Sequence, residues 1–267
     1  MSKILRTASA DAVVAAVEAN WRASVRMFGL APGTLIRDDD ELFWYVTGLP
    51  DATFNSIMYA NLAPDRIDAA VNELRRLRAI HRVPVNWLIG PTSRPADLPA
   101  QLMARGFRHL ADLTPMTRSI VEPLPAAEPV SGLSIERVVD ATALTEWIAA
   151  ERRGFEMEGR LADDFAALRR AIGIGHGRGL HHLLGRLDGV PVATASIMLA
   201  GGIAGIFDVS TVPRARRRGI GTAMTLAALA EARAYGYEIA FLQPSDMGEP
   251  IYYRLGFRVC CVCGIYG

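Results

Sequence analysis

Apolar residues recur along this chain in two rhythms, and the switches between them lay out its elements. In the second half, Leu133 to Val139 alternates apolar and polar positions and predicts a strand. Ala141 to Arg153 gathers Leu144, Trp147 and Ile148 on one helical face, and Leu161 to Ile172 does the same with Leu161, Phe165, Leu168 and Ile172. Gly173 to Gly179 is a glycine-rich break, and His176 reads as a loop residue within it. His181 to Leu187 and Val192 to Leu199 predict a hairpin about the turn Asp188-Gly189. Ile203 to Val212 predicts a strand, Ile220 to Tyr235 an alanine-rich helix, and Glu238 to Gln243 another strand. Pro250 to Leu255 predicts a short helix and Phe257 to Ile265 a last strand.

The first half closes in a similar order. Thr53 to Leu62 is strand-like, and Pro64 opens a helix reaching Ile80 with Ile67, Val71, Leu74 and Leu77 on one face. Val85 to Ile89 predicts a strand, Leu98 to Arg105 a helix ended by Gly106-Phe107, and a further strand runs toward Ile120. The segment Leu102-Met103-Ala104-Arg105-Gly106-Phe107 parallels Tyr252-Tyr253-Arg254-Leu255-Gly256-Phe257, which marks an internal repeat. Between the copies, residues 121–132 carry Pro123, Pro125, Pro129 and Gly132 and read as a linker. The chain is thereby expected to divide into domains at residues 1–120 and 133–267.

Composition narrows the class. The 267 residues are 51% hydrophobic, enough for packed cores. With 29 basic and 28 acidic residues there is no global electrostatic pull toward nucleic acid or an anionic membrane. The start Met1-Ser2-Lys3 lacks the apolar stretch of a signal peptide, and no apolar run is long enough to span a bilayer. The cysteines, Cys260, Cys261 and Cys263, crowd one segment in odd number, which is neither a disulfide framework nor a complete metal set. A cytoplasmic protein without a bound metal is the expectation.

The candidate chemistry lies in Val212-Pro213-Arg214-Ala215-Arg216-Arg217-Arg218-Gly219-Ile220-Gly221-Thr222. A strand, an abrupt turn and a helix start present free backbone N–H groups in one direction, where the helix dipole favours an anion. Gly219 and Gly221 let a phosphate approach the backbone, and the arginines add positive charge. A pyrophosphate site follows. Walker-type chemistry is excluded because the required lysine is missing, and a dinucleotide fingerprint fails because Met224 stands where its third glycine would be. Asp208 sits in the apolar run Ile206-Phe207-Asp208-Val209, where an acid is costly unless paired or functional. It is the candidate for binding or deprotonating an amine.

Arg216-x-x-Gly219-x-Gly221, followed by a strand and then by Tyr252-x-x-x-Gly256-Phe257, resembles the GNAT superfamily of acetyl-CoA-dependent N-acetyltransferases. The resemblance spans residues 132–267 and continues over 40–120 as a degenerate outline without the loop or the tyrosine. It implies an α/β (α+β) fold of two GNAT-like halves, each a mixed, mostly antiparallel sheet flanked by helices. It also implies that amides of Arg217, Arg218, Gly219, Ile220, Gly221 and Thr222 hold the pyrophosphate of acetyl-CoA. Backbone groups of Thr211 and Val212 would pair with the pantetheine arm as a strand edge does. Tyr252 matches the general acid that protonates the leaving thiolate, with Tyr253 as its neighbour on the helix. Ser245 reads either as a coenzyme contact or as a turn serine beside Pro244. Glu156 and Glu158 fall where the family often shapes its acceptor site. His181 or His182 would serve as a base or as strand-end structure. The reaction implied is direct acetyl transfer to a primary amine of a small molecule or peptide, by a monomer or homodimer. The alternative is a non-catalytic acyl-CoA-binding sensor or scaffold.

Overall fold

The computed structural model describes every residue except Met1, Ser2, Thr7, Ala127 and His176, so the expectation for His176 lies outside the described residues. The first half contributes α1 (Ala10–Arg26), β1 (Leu35–Asp38), β2 (Leu42–Val46), β3 (Asn55–Ala60), α2 (Ile67–His81), β4 (Asn86–Ile89), α3 (Leu98–Met103), β5 (His109–Leu113) and β6 (Met116–Ser119). The second contributes β7 (Leu133–Arg137), α4 (Ala141–Gly154), α5 (Gly159–Ile172), β8 (Leu180–Leu187), β9 (Val190–Ala200) and β10 (Ile203–Thr211). It continues with α6 (Ile220–Ala234), β11 (Ile239–Leu242), α7 (Glu249–Arg254), β12 (Arg258–Val259) and β13 (Cys263–Tyr266).

Local chemistry accounts for many of these boundaries. Asp140 caps α4 by accepting from Ala143 N at 2.8 Å, and the helix buries Leu144, Trp147 and Ile148 as its spacing requires. In α2 the stripe Ile67, Val71, Leu74 and Leu77 is buried. Asp188 and Gly189 take φ 49° and 80°, the positive pair a tight β-hairpin needs between β8 and β9. The amphipathic α1, for which the sequence pattern made no assignment, is capped by Ser9 and buries Val14, Val17 and Val25.

The strands form two sheets with the same plan. The first runs β1-β2-β3-β4-β13-β5 and the second β7-β8-β9-β10-β11-β6-β12. In each, one parallel pair (β3 with β4, β10 with β11) is joined through a crossover helix, and the other neighbours are antiparallel. This is the α/β fold of two mixed sheets with flanking helices.

Sheet membership does not follow the linker. β6, from before it, lies between β11 and β12 of the second sheet, and β13, from the far end, lies between β4 and β5 of the first. The last strand expected over Phe257 to Ile265 is therefore two strands in different sheets. Cys260 N donates to Pro115 O at 2.9 Å where the chain crosses over. The apolar pattern continues through the crossing, so alternation alone does not reveal the change of partner. A second tie joins the halves: the Asn20 amide of α1 donates to Met198 O, Ala200 O and Ile203 O at 2.8–2.9 Å. Among the described residues, no helix is long and apolar enough to cross a membrane.

Candidate active site

The site begins with the way β10 leaves its neighbour. β10 pairs with β9, with a bulge between Phe207 and Ser210 where Asp208 takes φ 54°. On its other side it pairs with β11 only at Ala204–Ala240 and Gly205–Phe241. Beyond Gly205 the two strands part, and the edge of β10 toward Thr211 has no β11 partner.

A turn of 3₁₀ helix, Pro213–Ala215, follows. Arg217 and Gly219 then adopt φ 59° and 81° and bend the chain into α6. Gly219 answers to that left-handed backbone, which a side chain disfavours. The first bond into α6 runs from Ala223 N to Gly219 O at 3.0 Å. Among the described residues, the amides of Arg217, Arg218, Gly219, Ile220, Gly221 and Thr222 donate to no protein acceptor. The first turn of α6 holds no acid, and a Cβ built on Gly221 would meet nothing nearer than Thr211 Oγ1 at 4.0 Å. The cradle is open, electropositive and lined by backbone donors, which is the donor set a diphosphate requires.

A cleft of about 620 Å³ extends from this cradle. Thr211, Arg217, Gly219, Ile220, Gly221 and Thr222 form its floor. Ser245, Met247 and Tyr252 form one wall, and Gly154, Phe155 and Glu156, at the end of α4, form the other. Arg218 is exposed beside the cleft and contributes its amide alone to the loop. The Ser245 side chain accepts from Gly248 N at 3.3 Å, as a turn serine does, and the residue also lines the cleft.

Tyr252 is 9% exposed and lines the cleft. Burial pushes its phenol up to about 12, with the Thr225 hydroxyl acting in the opposite sense. Tyr253 is 43% exposed and does not line the cleft, as expected from a neighbour turned about 100° around the helix.

Two expected site residues are corrected by the geometry. Asp208 does not line the cleft. Its Oδ1 accepts from Arg169 at 2.5 Å, and the same guanidinium donates to Glu151 at 2.6 and 3.1 Å. Arg169 lies over the rings of Trp147 and Phe165, so the acid in the apolar strand is explained by a buried ion-pair network. Glu151 is held well above the usual carboxylate range by burial, opposed by Arg169. Val212 is the second correction. Its N–H donates to Val192 O and its carbonyl accepts from Ala215 N, both at 2.9 Å, so its N–H is not available to a ligand.

The remaining candidates fall outside the cleft. His182 is buried against Trp147, with its Nδ1 2.8 Å from Ser196 Oγ, and burial lowers its pKa to about 4. His181 stacks on Tyr235, and Glu158 is exposed at the start of α5. Cys260, Cys261 and Cys263 are free thiols at the crossover between the sheets. Sequence reasoning missed Gly154 and Phe155. The glycine at a helix end signals a cap, but its approach to β10 is a tertiary contact with no local signature.

Comparison with known proteins agrees with this geometry. Residues 137–260 match the family model of the acetyltransferase (GNAT) domain. A GCN5-related N-acetyltransferase from Kribbella flavida aligns over 93% of this chain and 95% of its own, at 21% identity and TM-score 0.69. One from Sphaerobacter thermophilus aligns over 100% and 94%, at 18% identity and TM-score 0.63. A tandem GNAT protein from the clavulanic acid biosynthesis pathway aligns over 96% and 92%, at 16% identity and TM-score 0.62. No curated protein matches the sequence. The chain thus carries an acetyltransferase (GNAT) domain at residues 137–260, within a fold shared with a tandem GNAT protein.

Proposed function

We propose that the second-half cleft binds acetyl-CoA and that the acetyl group passes directly to a primary amine of a small molecule or peptide. The observation that carries this reading is the run of unengaged amides from Arg217 to Thr222 beside a strand edge with no partner. Amides of Arg217, Arg218, Gly219, Ile220, Gly221 and Thr222 would hold the diphosphate. The edge of β10 at Thr211, whose carbonyl also accepts from Arg216, and the side chain of Ser245 would hold the arm. When bound, the coenzyme supplies an activated acetyl thioester.

Tyr252 then has one task, to hold a proton on Oη and give it to the departing sulfur, while the attacking nitrogen sheds its proton to solvent and solvent restores the phenol. With its pKa near 12 the phenol stays protonated across the range in which an amine is a useful nucleophile. A positioned acid of this kind contributes roughly 10²–10⁴-fold. Among the described residues, no histidine or cysteine lines the cleft. The serines that do, Ser210 and Ser245, have no adjacent imidazole. That favours direct attack by the amine over an acyl-enzyme.

Calorimetry with acetyl-CoA, followed by a thiol-release assay across a panel of amines, tests the reading. Saturable binding with amine-dependent thiol release supports it. No binding at millimolar acetyl-CoA ends it.

A further inference from the structure

We propose that Arg216 is a positioning residue that couples the two sides of the cleft, so that a ligand held by the phosphate loop also fixes the wall at residues 154–156. The proposal rests on the acyl-carrier reading of the loop.

Arg216 opens the arginine-glycine motif, yet its guanidinium is engaged by protein. Nε donates to Thr211 O at 3.1 Å, and Nη2 donates to Gly154 O at 2.8 Å and lies 2.7 Å from the Glu156 carboxylate. These acceptors belong to the end of β10, the last turn of α4 and the connection to α5. One planar fork therefore joins the floor of the cleft to one of its walls from two separate nitrogens, which the compact ammonium of a lysine does not offer.

That wall is built to feel the connection. Gly154 lies so close to β10 that a Cβ there would come within 2.3 Å of Ser210 Oγ and 3.3 Å of Thr211 N. Two residues on, Glu156 takes φ 53°, a left-handed conformation that a side chain disfavours and that persists where its surroundings hold it. Arg216 is the ionic partner that holds it. The Glu156 side chain is 61% exposed, however, and an ion pair exposed to that degree is worth little alone. The Glu156 arm of the clasp is therefore marginal until the loop beside Arg216 is held more firmly.

A ligand of the loop supplies that hold. Arg217, the next residue, enters at φ 59° and begins the series of free amides. A ligand that takes those amides immobilises the backbone beside Arg216, orients its guanidinium, and through it fixes Gly154 and Glu156. Occupancy of the floor becomes order in the wall against which the second substrate must fit.

Amide hydrogen exchange on the full chain, with and without coenzyme A, tests this. The amides of Phe155, Glu156 and Met157 bond to Glu151 O, Arg153 O and Arg152 O, so their exchange reports opening of the wall. At about ten times its dissociation constant, coenzyme A is expected to slow exchange roughly tenfold wherever opening requires its release. In the wild type that slowing should appear at 217–222 and at 155–157 together. In Arg216→Ala it should persist at 217–222 and vanish at 155–157. Glu156→Gln, at an exposed side chain, guards against misfolding and should lower the slowing at 155–157 alone. A purely structural Arg216 would instead raise exchange at 155–157 equally with and without coenzyme A, and that result overturns the coupling. Slowing at 217–222 without slowing at 155–157 in the wild type overturns it too, while leaving the coenzyme site intact. No slowing at 217–222 refutes the coenzyme site, and the coupling falls with it.

Discussion

The same fork occurs twice in this molecule, once empty and once filled. In the second half β10 and β11 pair at two positions and then part, leaving the cleft. In the first half β3 and β4 also pair at only two positions, Ser56–Asn86 and Ile57–Trp87. There the chain fills its own gap. Arg94 N donates to Ala60 O at 2.7 Å, Leu62 N donates to Arg94 O at 3.0 Å, and Ser93 is buried beside them. The helix starts differ as well. α6 begins Gly219-Ile220-Gly221, whereas α2 begins Arg66-Ile67-Asp68. Asp65 and Asp68 already supply the negative charge that the helix start favours. Leu102, fully buried, stands where the second half has Tyr252. A splayed strand pair is thus not by itself a binding site. The proposed site lies where the edge has no strand partner and the next helix opens on Gly219 and Gly221, without acids.

The sharpest way to break this contrast is at Tyr252. Tyr252→Phe should lower turnover by roughly 10²–10⁴-fold, with coenzyme affinity unchanged in the same preparation by calorimetry. Equal turnover would remove the phenol from the chemistry and leave the halves differing in binding alone. Next in size is the cradle. A Cβ at Gly221 meets nothing nearer than Thr211 Oγ1 at 4.0 Å, so Gly221→Val should fold normally, yet its side chain would stand where the proposed diphosphate sits. Losing one or two charged hydrogen bonds should weaken coenzyme binding by about 10–100-fold. Asp68→Ala, at the matching position of α2, should leave that affinity unchanged. The third effect is a factor of two. Titration should give one coenzyme per chain, and two would mean that the segment at Arg94 yields its place. The smallest expected effect is a near-absence of change. Tyr252 donates from its protonated form, which exists below its pKa of about 12. An unperturbed phenol, near 10, would be half ionised at pH 10. The limb of the kcat profile due to Tyr252 should therefore fall less than about twofold by that pH.

Much of the second half is legible in the sequence because its signals are local. Periodicity, caps and the Asp188-Gly189 turn each act within a few residues, and the phosphate loop is contiguous from Arg216 to Thr222. Asp208 misled because an acid in an apolar strand has two physical resolutions, a reacting partner or a buried counter-charge. The counter-charge, Arg169, lies 39 residues away on α5. Val212 misled because which way a strand's N–H groups face depends on its neighbour, and the bulge at Phe207–Ser210 resets that register. α1 went unassigned partly because its buried face includes Asn20, a polar residue whose amide nitrogen is paired only with carbonyls of the β9–β10 hairpin. The filled fork has no local signature, since residues 92–94 read as an ordinary loop between β4 and α3.

The exchange of β6 and β13 has a consequence for how the chain is made. β4 and β5 leave the ribosome well before β13, the strand that sits between them. Until β13 emerges, the nascent first half carries a slot with two unpaired edges, a surface that invites pairing with other chains. Vectorial completion of one half and then the other is closed to this topology. Severing the polypeptide at the proline-rich connection would likewise give two fragments, each missing a strand that only its counterpart can lend.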